Sequence, residues 1–547
     1  GAGSPSTRHT AAPATGHTGI PGPSEPALES WPRPGVLTAP IDVDLRSNDP
    51  TATVWYTLDG SWPDPATSLV APGPLHVERN TVVRAWAVGD LGEVGFTGIW
   101  LFLDPDAASF SSNVPLLVLW TVDTAPTSKT DEYTPFSLLV FEPDASGRVS
   151  WPREADQWSM AGLKVRGSST SGYPKKPYRL EAWAPESGRL PGPPVDEDLP
   201  LLGMPADGDW VLGAPLDFDR ARMRTSLVYE VSRAIGRYAA RTRFAEVFVA
   251  ERDERVGMDD YVGLYEVTEH LERGRDRIDV ERMLPTDLAE PEITGGWVFK
   301  EDRTGPDEDG FRAGEAGGRL TFQQPFVYVD PNEDDVAAQQ AAWLSSYLDE
   351  LGVALVAPGF THPLTGHHYD DLIDTDAFID HHILNVWSKN PDAIRLSGYL
   401  HKDRDGLLVA GPVWDFDRTM GCASDSRAED PTWWDATNET RDTTAMFDEG
   451  FYGGLFDDPV FRDRYFARMD VLLRTALDPV GTTFLLEGWA AELDEAAARD
   501  FDRWPQYPPR GGSLRTEVDL LETWLQQRHD WMSACLLRAD PMRCRGD

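Results

Sequence analysis

The sequence predicts an α+β protein with a strand-rich lobe followed by a helical lobe, and a small β-sandwich ahead of both. Three observations carry that prediction. Between residues 33 and 104, short runs rich in β-branched and aromatic residues (ATVWYTL, TVVRAWAV, TGIWLFL) are divided by turn clusters such as DGSWPDP and GDLGE, the spacing of a sandwich. From Val114, strand patterns dominate (LLVLWTV, SLLVFEP, LKVRG, YRLEAW, RFAEVFVA, YVGLYEV, GGWVFKE). After Val336, helical patterns take over (AAQQAAWLSSYLDELG, TDAFIDHHILNVWSK, FRDRYFARMDVLLRTAL). At 547 residues the chain is also too long for one hydrophobic core.

Taken in order, residues 1–32 read as a flexible Ser/Thr/Pro/Gly linker with nothing to bury and no apolar core of a signal peptide. The sandwich module takes residues 33–104, a Pro/Asp-containing hinge near Leu103–Asp106 ends it, and the second domain runs over 113–547. The longest apolar run, Val114 to Val122, is too short to span a bilayer and reads as a buried strand. The first strong helix is expected over Arg220–Gly236, opened by Asp219 as a cap and closed by the glycine. Met223, Leu227, Val231 and Ile235 recur along it every four residues and define one buried face.

The charge narrows the partners. With 91 acidic against 50 basic residues, the net charge of −41 repels nucleic acid and anionic membranes, both bound mainly through Lys and Arg. On its own it speaks first for solubility; recruitment of basic protein substrates is the sharper alternative. Of the three cysteines, Cys535 and Cys544 fit either a disulfide in an oxidising compartment or two thiols in a reducing one, and Cys422 reads as packing. There is no zinc-ligand spacing, no GxxxxGK(S/T) and no GxSxG partner for His381 and His382, which lie in a helical pattern beside Ile383 and Leu384.

The stretch that carries chemistry is NPDAIRLSGYLHKDRDGLLVAGPVWDFDRTMG, Asn390 to Gly421. Asp392 follows a helix, Ser397 stands five positions later, a strand pair with a DRDG turn intervenes, and Asp415 comes next in a WDFD context. Phosphoryl transfer asks for this order. One carboxylate accepts or orients the attacking hydroxyl, a second ligand sits on the same loop, and an aspartate beyond a hairpin holds the metal that neutralises the triphosphate. The turn VRGSSTSGYPKK, Val165 to Lys176, offers small residues whose N–H groups can approach phosphate oxygens, and ends in paired lysines.

These segments resemble the CotH (spore-coat protein H) kinase family. The resemblance rests on KNPDAIRLSGYLHKDRDGLLVAGPVWDFDRTMG and on four upstream blocks that fall in the family's order from Val165 to Gly421: VRGSSTSGYPKKPYRLE, DWVLGAPLDFDRARMRTSLVYEVSRAIG, FAEVFVA…VGLYEVTEHLERGRDRIDV and GGWVFKEDR. It implies an atypical, two-lobed protein-kinase-like fold that uses ATP with Mg or Mn to phosphorylate Ser or Thr hydroxyls of a protein, one that is basic or Ser/Thr-rich and is met in secretion or at the cell envelope. Position by position, it puts Asp392 at the catalytic acid of the active loop and Asp415 at the metal, with Ser397 where many relatives have Asn; Asp417, two residues beyond Asp415, compensates for the poorer serine ligand if both carboxylates face the metal. Lys176 becomes the phosphate-binding lysine, with Lys175 second and Arg166 and Ser168 nearby. Glu230 is the candidate partner for that lysine, Glu269 a nucleotide or linker contact, and Lys300 a residue facing the cleft. A pseudokinase or envelope scaffold, and a kinase-fold AMP transferase, are the other functions compatible with the same residues. Separately, VWYTLDGSWPDPATS…APGPLHVERNTVVRAWAVGDLGE resembles the immunoglobulin-like module at the C-terminus of chitobiase-type enzymes, which implies a spacer, or contact with carbohydrate, the cell envelope or protein, through residues such as Trp55, Tyr56 and Trp62.

Overall fold

The structure, a computed structural model, describes residues 25–434, 446–538 and 541–544, apart from 186, 188–192, 253–254 and 306–309. The expected linker therefore lies, through residue 24, outside the described residues. Strands dominate the N-terminal part and helices the C-terminal part, an α+β arrangement. Contacts divide the chain into two compact units. The first takes residues up to Ala214 with Arg243–Thr268 and Glu495–Arg503, and the second takes Pro215–Thr242, Glu269–Asp494 and Trp504 onward.

The first unit begins with a sandwich. A three-stranded sheet (Leu28–Trp31, Ile41–Ser47, Leu75–Val77) faces a six-stranded one built on Gly92–Phe102, Thr81–Gly89 and Thr53–Thr57. Alternation decides which side chains meet between them: Val83, Ala85 and Ala87 from one strand, and Phe96, Trp100 and Phe102 from the next, pack on Val43, Leu75 and Val77. The opposite face of the same sheet is not left to solvent. Val82, Ile99, Leu101 and Leu103 share a second core with Leu116, Val118, Leu139, Phe141, Trp151 and Phe248 of the region that follows. The sheet itself crosses the expected boundary, since Arg153–Glu154 pairs with Gly35–Val36 at its edge. The hinge expected near Leu103–Asp106 is instead tied down where it begins: Leu103 N–H donates to the Leu37 carbonyl and Asp104 N–H to the Val256 carbonyl.

Beyond it the chain closes a seven-stranded barrel: Leu116–Thr121, Thr134–Phe141, Gln157–Val165, Tyr178–Trp183, Asp209–Gly213, Tyr261–Glu269 and Thr242–Glu251, the last returning parallel to the first. Closure explains the continuous apolar run LLVLW. Leu117 and Leu119 point into the barrel with Leu138, Leu163, Leu180 and Val247, while Leu116, Val118 and Trp120 fill the core shared with the sandwich.

In the second unit, helices α1 (Arg224–Ala234), α2 (Ala338–Val356), α3 (Thr375–Ser388), α4 (Gly450–Leu455), α5 (Pro459–Leu473), α6 (Pro479–Arg503, whose last residues belong to the first unit) and α7 (Leu514–Leu536) accompany a five-stranded sheet. The sheet runs Gly310–Phe311, Phe326–Asp330, Trp297–Glu301, Gly398–Lys402, Leu408–Ala410. Helix α1 is shorter than the expected Arg220–Gly236, because Arg222 takes a left-handed conformation (φ 67°) and the chain turns there. Asp219 still serves the helix start, its carboxylate accepting the Arg224 N–H at 2.8 Å. Helix α3 is buried on almost every side, which is why its sequence lacks a polar face. His381 and His382 are core residues in it. Burial pushes the first down to about 4 and the second to about 3, and His382 is hydrogen-bonded to the Tyr465 hydroxyl and the Met446 carbonyl. At the C-terminus Cys535 and Cys544 form a disulfide, and burial pushes the Cys422 thiol up to about 11.

Candidate active site

Helix α3 ends abruptly at Lys389, a left-handed cap (φ 52°) whose buried ammonium donates to the Asp430 and Thr432 carbonyls. The chain then folds into a tight loop. Asn390 is anchored to the Asn385 side chain, its own oxygen accepts the Asp392 N–H at 3.1 Å, and the Asp392 carbonyl accepts the Leu396 N–H. Ile394 and Ser397 are both left-handed (φ 69° and 52°), so the loop reverses twice within six residues before entering the strand Gly398–Lys402. Asp392 is thus aimed by a loop fastened at its base to a helix end.

A second fastening holds WDFD. Asp415 is left-handed (φ 66°); its N–H donates to the Tyr229 hydroxyl oxygen and the Phe416 N–H to the Thr225 hydroxyl, each at 3.3 Å, and Tyr229 stacks on Trp414. All three contacts come from α1. Arg224, fully buried on the same helix, pairs with Asp219 at 2.6 Å and donates to the Thr419 carbonyl just past the motif. Helix α1 is therefore a clamp on the aspartate segment, which its sequence pattern alone does not disclose.

Electrostatics tie the pieces together. Asp417 is held well above the ordinary carboxylate range, first by burial and then by repulsion from Asp415, Asp219 and Asp392, with Arg418 opposing. Asp392, Asp415 and Asp417 thus share one environment. Among the described residues no group of three or more His, Cys, Asp or Glu side chains is poised to hold a metal ion. A divalent cation here would lie against Asp415 and Asp417 and complete its shell with phosphate oxygens and water, the way Mg²⁺ is usually held beside nucleotides. The donor set fits, because two neighbouring, mutually repelling carboxylates, exposed Asp415 and half-buried Asp417, are relieved by a cation. Ser397 stays on the Asp392 loop, its carbonyl accepting the Tyr399 N–H.

Sequence reading missed the cations around Asp392. Its Oδ1 accepts Arg395 Nη2 at 2.8 Å and Arg427 Nη1 at 3.3 Å, while Arg418 Nε lies 3.9 Å from Oδ2. The i+3 spacing of Arg395 was a usable signal; nothing local announces Arg427, which arrives from 35 residues away.

The other candidates divide. In the first unit Lys175 is sealed inside, its ammonium on Asp500 at 2.8 Å and the Leu264 carbonyl at 2.6 Å, with both side chains fully buried. That arrangement leaves it no path to a phosphate, a correction to its candidacy. Lys176 is half-buried and reaches the Ser171 carbonyl across the small-residue turn. Arg166 N–H closes on the Pro177 carbonyl, Gly167 is left-handed (φ 85°), and the Ser168 carbonyl accepts the Ser171 hydroxyl, so the turn is compact. In the second unit Glu269, fully buried, accepts from Tyr238, from the Arg241 N–H and from the Arg241 and Arg277 guanidinium groups. Those bonds saturate it, so it braces this unit and is not a nucleotide contact. Glu230 pairs with Arg233 one turn on, and Lys300 with Asp302 at 3.2 Å.

Two family models match the chain. The CotH kinase protein model covers residues 163–532, and the chitobiase/beta-hexosaminidase C-terminal domain model covers residues 32–97. No curated protein matches it at a significant level.

Proposed function

Since the chain belongs to the CotH kinase protein family, and its kinase-like function follows from that membership, we propose that it transfers the γ-phosphate of ATP to Ser or Thr hydroxyls of a protein outside the cytoplasm. The observation that carries the reading is geometric: the Asp392 loop is fastened to the end of α3, the Asp415 segment to α1, and Arg418, next to Asp417, brings its Nε to 3.9 Å from Asp392 Oδ2. The strand-rich and helical units are read as the two lobes of an atypical protein-kinase-like fold. Asp392 orients the acceptor hydroxyl through Oδ2, the oxygen that Arg395 and Arg427 leave open. The hydroxyl oxygen attacks the γ-phosphorus as its proton passes to the Asp392 carboxylate, the bond to the β,γ-bridging oxygen breaks, and ADP leaves. Mg or Mn, on Asp415 and Asp417 with Ser397 as an extra oxygen, would supply charge neutralisation of the triphosphate. For the phosphates the family resemblance proposes Lys176, with Arg166 and Ser168.

A location outside the cytoplasm is supported by the Cys535–Cys544 disulfide, which persists in oxidising compartments. For the sandwich, contact with carbohydrate or the cell envelope is proposed. Its half-exposed Trp55 and Trp86 stand directly opposite one another on adjacent strands, with ring centroids 5.9 Å apart and planes tilted by 42°, an aromatic patch at the sheet surface.

The test is incubation of the chain with ATP, Mg or Mn and a protein acceptor, followed by intact-mass analysis. Added phosphate supports the reading, added AMP replaces it with nucleotidyl transfer, and no addition under any metal leaves a scaffold.

A further inference from the structure

The loop that carries Asp392 is held differently in its two halves. Side chains tie the first half: Asn390 to Asn385 and to the Asp392 N–H, and Arg395 to the Pro391 carbonyl. In the second half the backbone bonds stay inside the loop, with Arg395 N–H on the Ala393 carbonyl at 2.8 Å and Leu396 N–H on the Asp392 carbonyl at 3.1 Å. Such bonds shape a turn without attaching it to the body of the protein. The buried apolar side chains here are Ile394, 7% exposed, and the smaller Ala393.

Ile394 stands out in three ways. It is left-handed (φ 69°), a conformation that a β-branched residue rarely adopts and keeps only where its surroundings over-determine it. Its carbonyl lies against Gly398, where a Cβ would come within 2.3 Å of that oxygen, so the loop closes only on a glycine. It also walls a cavity of about 30 Å³, together with Phe378 and His381 of α3 and Phe451 and Tyr452 of α4. That volume admits about one or two waters and no larger ligand, so it is slack beside the loop. A loop kept against slack by one strained apolar residue has room to shift once that residue is lost.

We propose that Ile394 is a positioning residue for phosphotransfer: packed beside this cavity in a strained turn, it holds Asp392, two residues before it, at the acceptor hydroxyl. This rests on the role given to Asp392 above. The Asp415 segment is fastened separately, by Thr225 and Tyr229 of α1. Losing Ile394 should therefore misplace the acceptor carboxylate while metal and nucleotide stay where they are, and the kinetic signature is a fall in kcat with the KM for ATP unchanged.

The experiment uses the full chain with ATP, Mg or Mn and a Ser/Thr-rich acceptor peptide. Ile394→Gly removes the side chain and relieves the backbone together, because glycine takes φ > 0 freely. It should lower kcat by about 10²-fold, the scale on which about 1 Å of misplacement acts. Ile394→Val, which keeps the branch at Cβ, should hold most of kcat. Phe451→Leu thins the same cavity wall from α4 and should leave kcat near the native value. Gly398→Ala strikes the Ile394 carbonyl from the other side and should reproduce the loss, which keeps the inference decidable if Ile394→Gly fails to fold. Native kcat in Ile394→Gly, or in Gly398→Ala where the first variant does not fold, overturns the inference. An equal loss in Phe451→Leu, or a weakening of ATP binding as large as the fall in kcat, also overturns it; each of these results leaves kinase activity standing. No transfer by the native chain to any peptide or protein removes the kinase reading and this inference with it.

Discussion

Replacing Asp500 with Ala strips the Lys175 ammonium of the carboxylate it meets at 2.8 Å, in a spot where both side chains are fully buried. The same Asp500 oxygen accepts the Leu264 N–H at 3.0 Å, and Lys175 donates to the Leu264 carbonyl, so one substitution disturbs three bonds around a single barrel strand. Breaking a buried ion pair from one side costs about 3–5 kcal/mol, because the remaining charge is left without compensation. The lost acceptor for Leu264 places Asp500→Ala toward the upper end of that range. Removing both charges is a different matter: Lys175→Met with Asp500→Asn keeps both volumes and an acceptor for the Leu264 N–H, and should lie within about 1 kcal/mol of the native protein. Urea unfolding followed by tryptophan fluorescence measures both, and hydrogen exchange in the strand Tyr178–Trp183 checks that the loss is in the barrel. An Asp500→Ala cost under about 1 kcal/mol, or a double variant as unstable as the single one, would refute the argument. ATP affinity supplies an independent check. The double variant should bind nucleotide normally, and loss of binding would return Lys175 to the nucleotide site.

Asp392→Asn should keep its fold and nucleotide binding yet lose about 10²- to 10⁴-fold in phosphotransfer, measured as turnover on a verified acceptor. Asp415→Ala should abolish metal-dependent ATP binding by calorimetry; affinity in chelator equal to that in Mg²⁺ for the native chain would refute the metal assignment. Glu301 is buried, and that burial, ahead of its neighbour Glu449, holds its carboxyl well above the ordinary 4.5, while it accepts the Gln324 N–H at 3.0 Å. Its contribution to stability is therefore full below 4.5 and is lost as pH rises through the folded value; Glu301→Gln should flatten that decline and be more stable than the native chain at pH 8. Deleting residues through Phe102 should give an aggregating product, because Ile99 and Leu101 are fully buried against Leu116, Val118 and Trp151; a soluble, cooperatively unfolding remainder would show the shared core to be dispensable.

Periodicity made much of this legible. The run around Leu117 announced a strand buried on both faces, and the glycine at 236 with φ 88° marked where α1 gives out. The order of Asp392, Ser397 and Asp415 along a loop and hairpin was visible because it is local: a cap, a reversal and a short turn decide it. What local pattern does not carry is pairing across long stretches of chain. Asp500 reaches Lys175 over 325 residues, and Arg427 reaches Asp392 over 35, so a lysine that looks available in a small-residue turn turns out to be enclosed. Glu269 shows the same effect. Its four bonds come from residues within a span of about forty positions, but only the fold brings Tyr238 and Arg241, from the loop after α1, and Arg277, from the loop after the strand Tyr261–Glu269, to one carboxylate.

The core shared by sandwich and barrel also sets where this chain can be cut and recombined. A module joined by a tether can be traded among proteins as a cassette, since its neighbours never learn its surface. Here Leu101 and Leu103 are packed among barrel residues, and Arg153–Glu154 completes an edge of the sandwich sheet, so a transplanted sandwich would bring the wrong outer face and leave an unmatched strand behind. The two parts are bound to diversify together, each substitution on one side of that core constraining the next on the other. Tension applied to the sandwich strand Gly92–Phe102 would be felt directly in the barrel strand Leu116–Thr121, because Ile99 and Leu101 share one core with Leu116 and Val118.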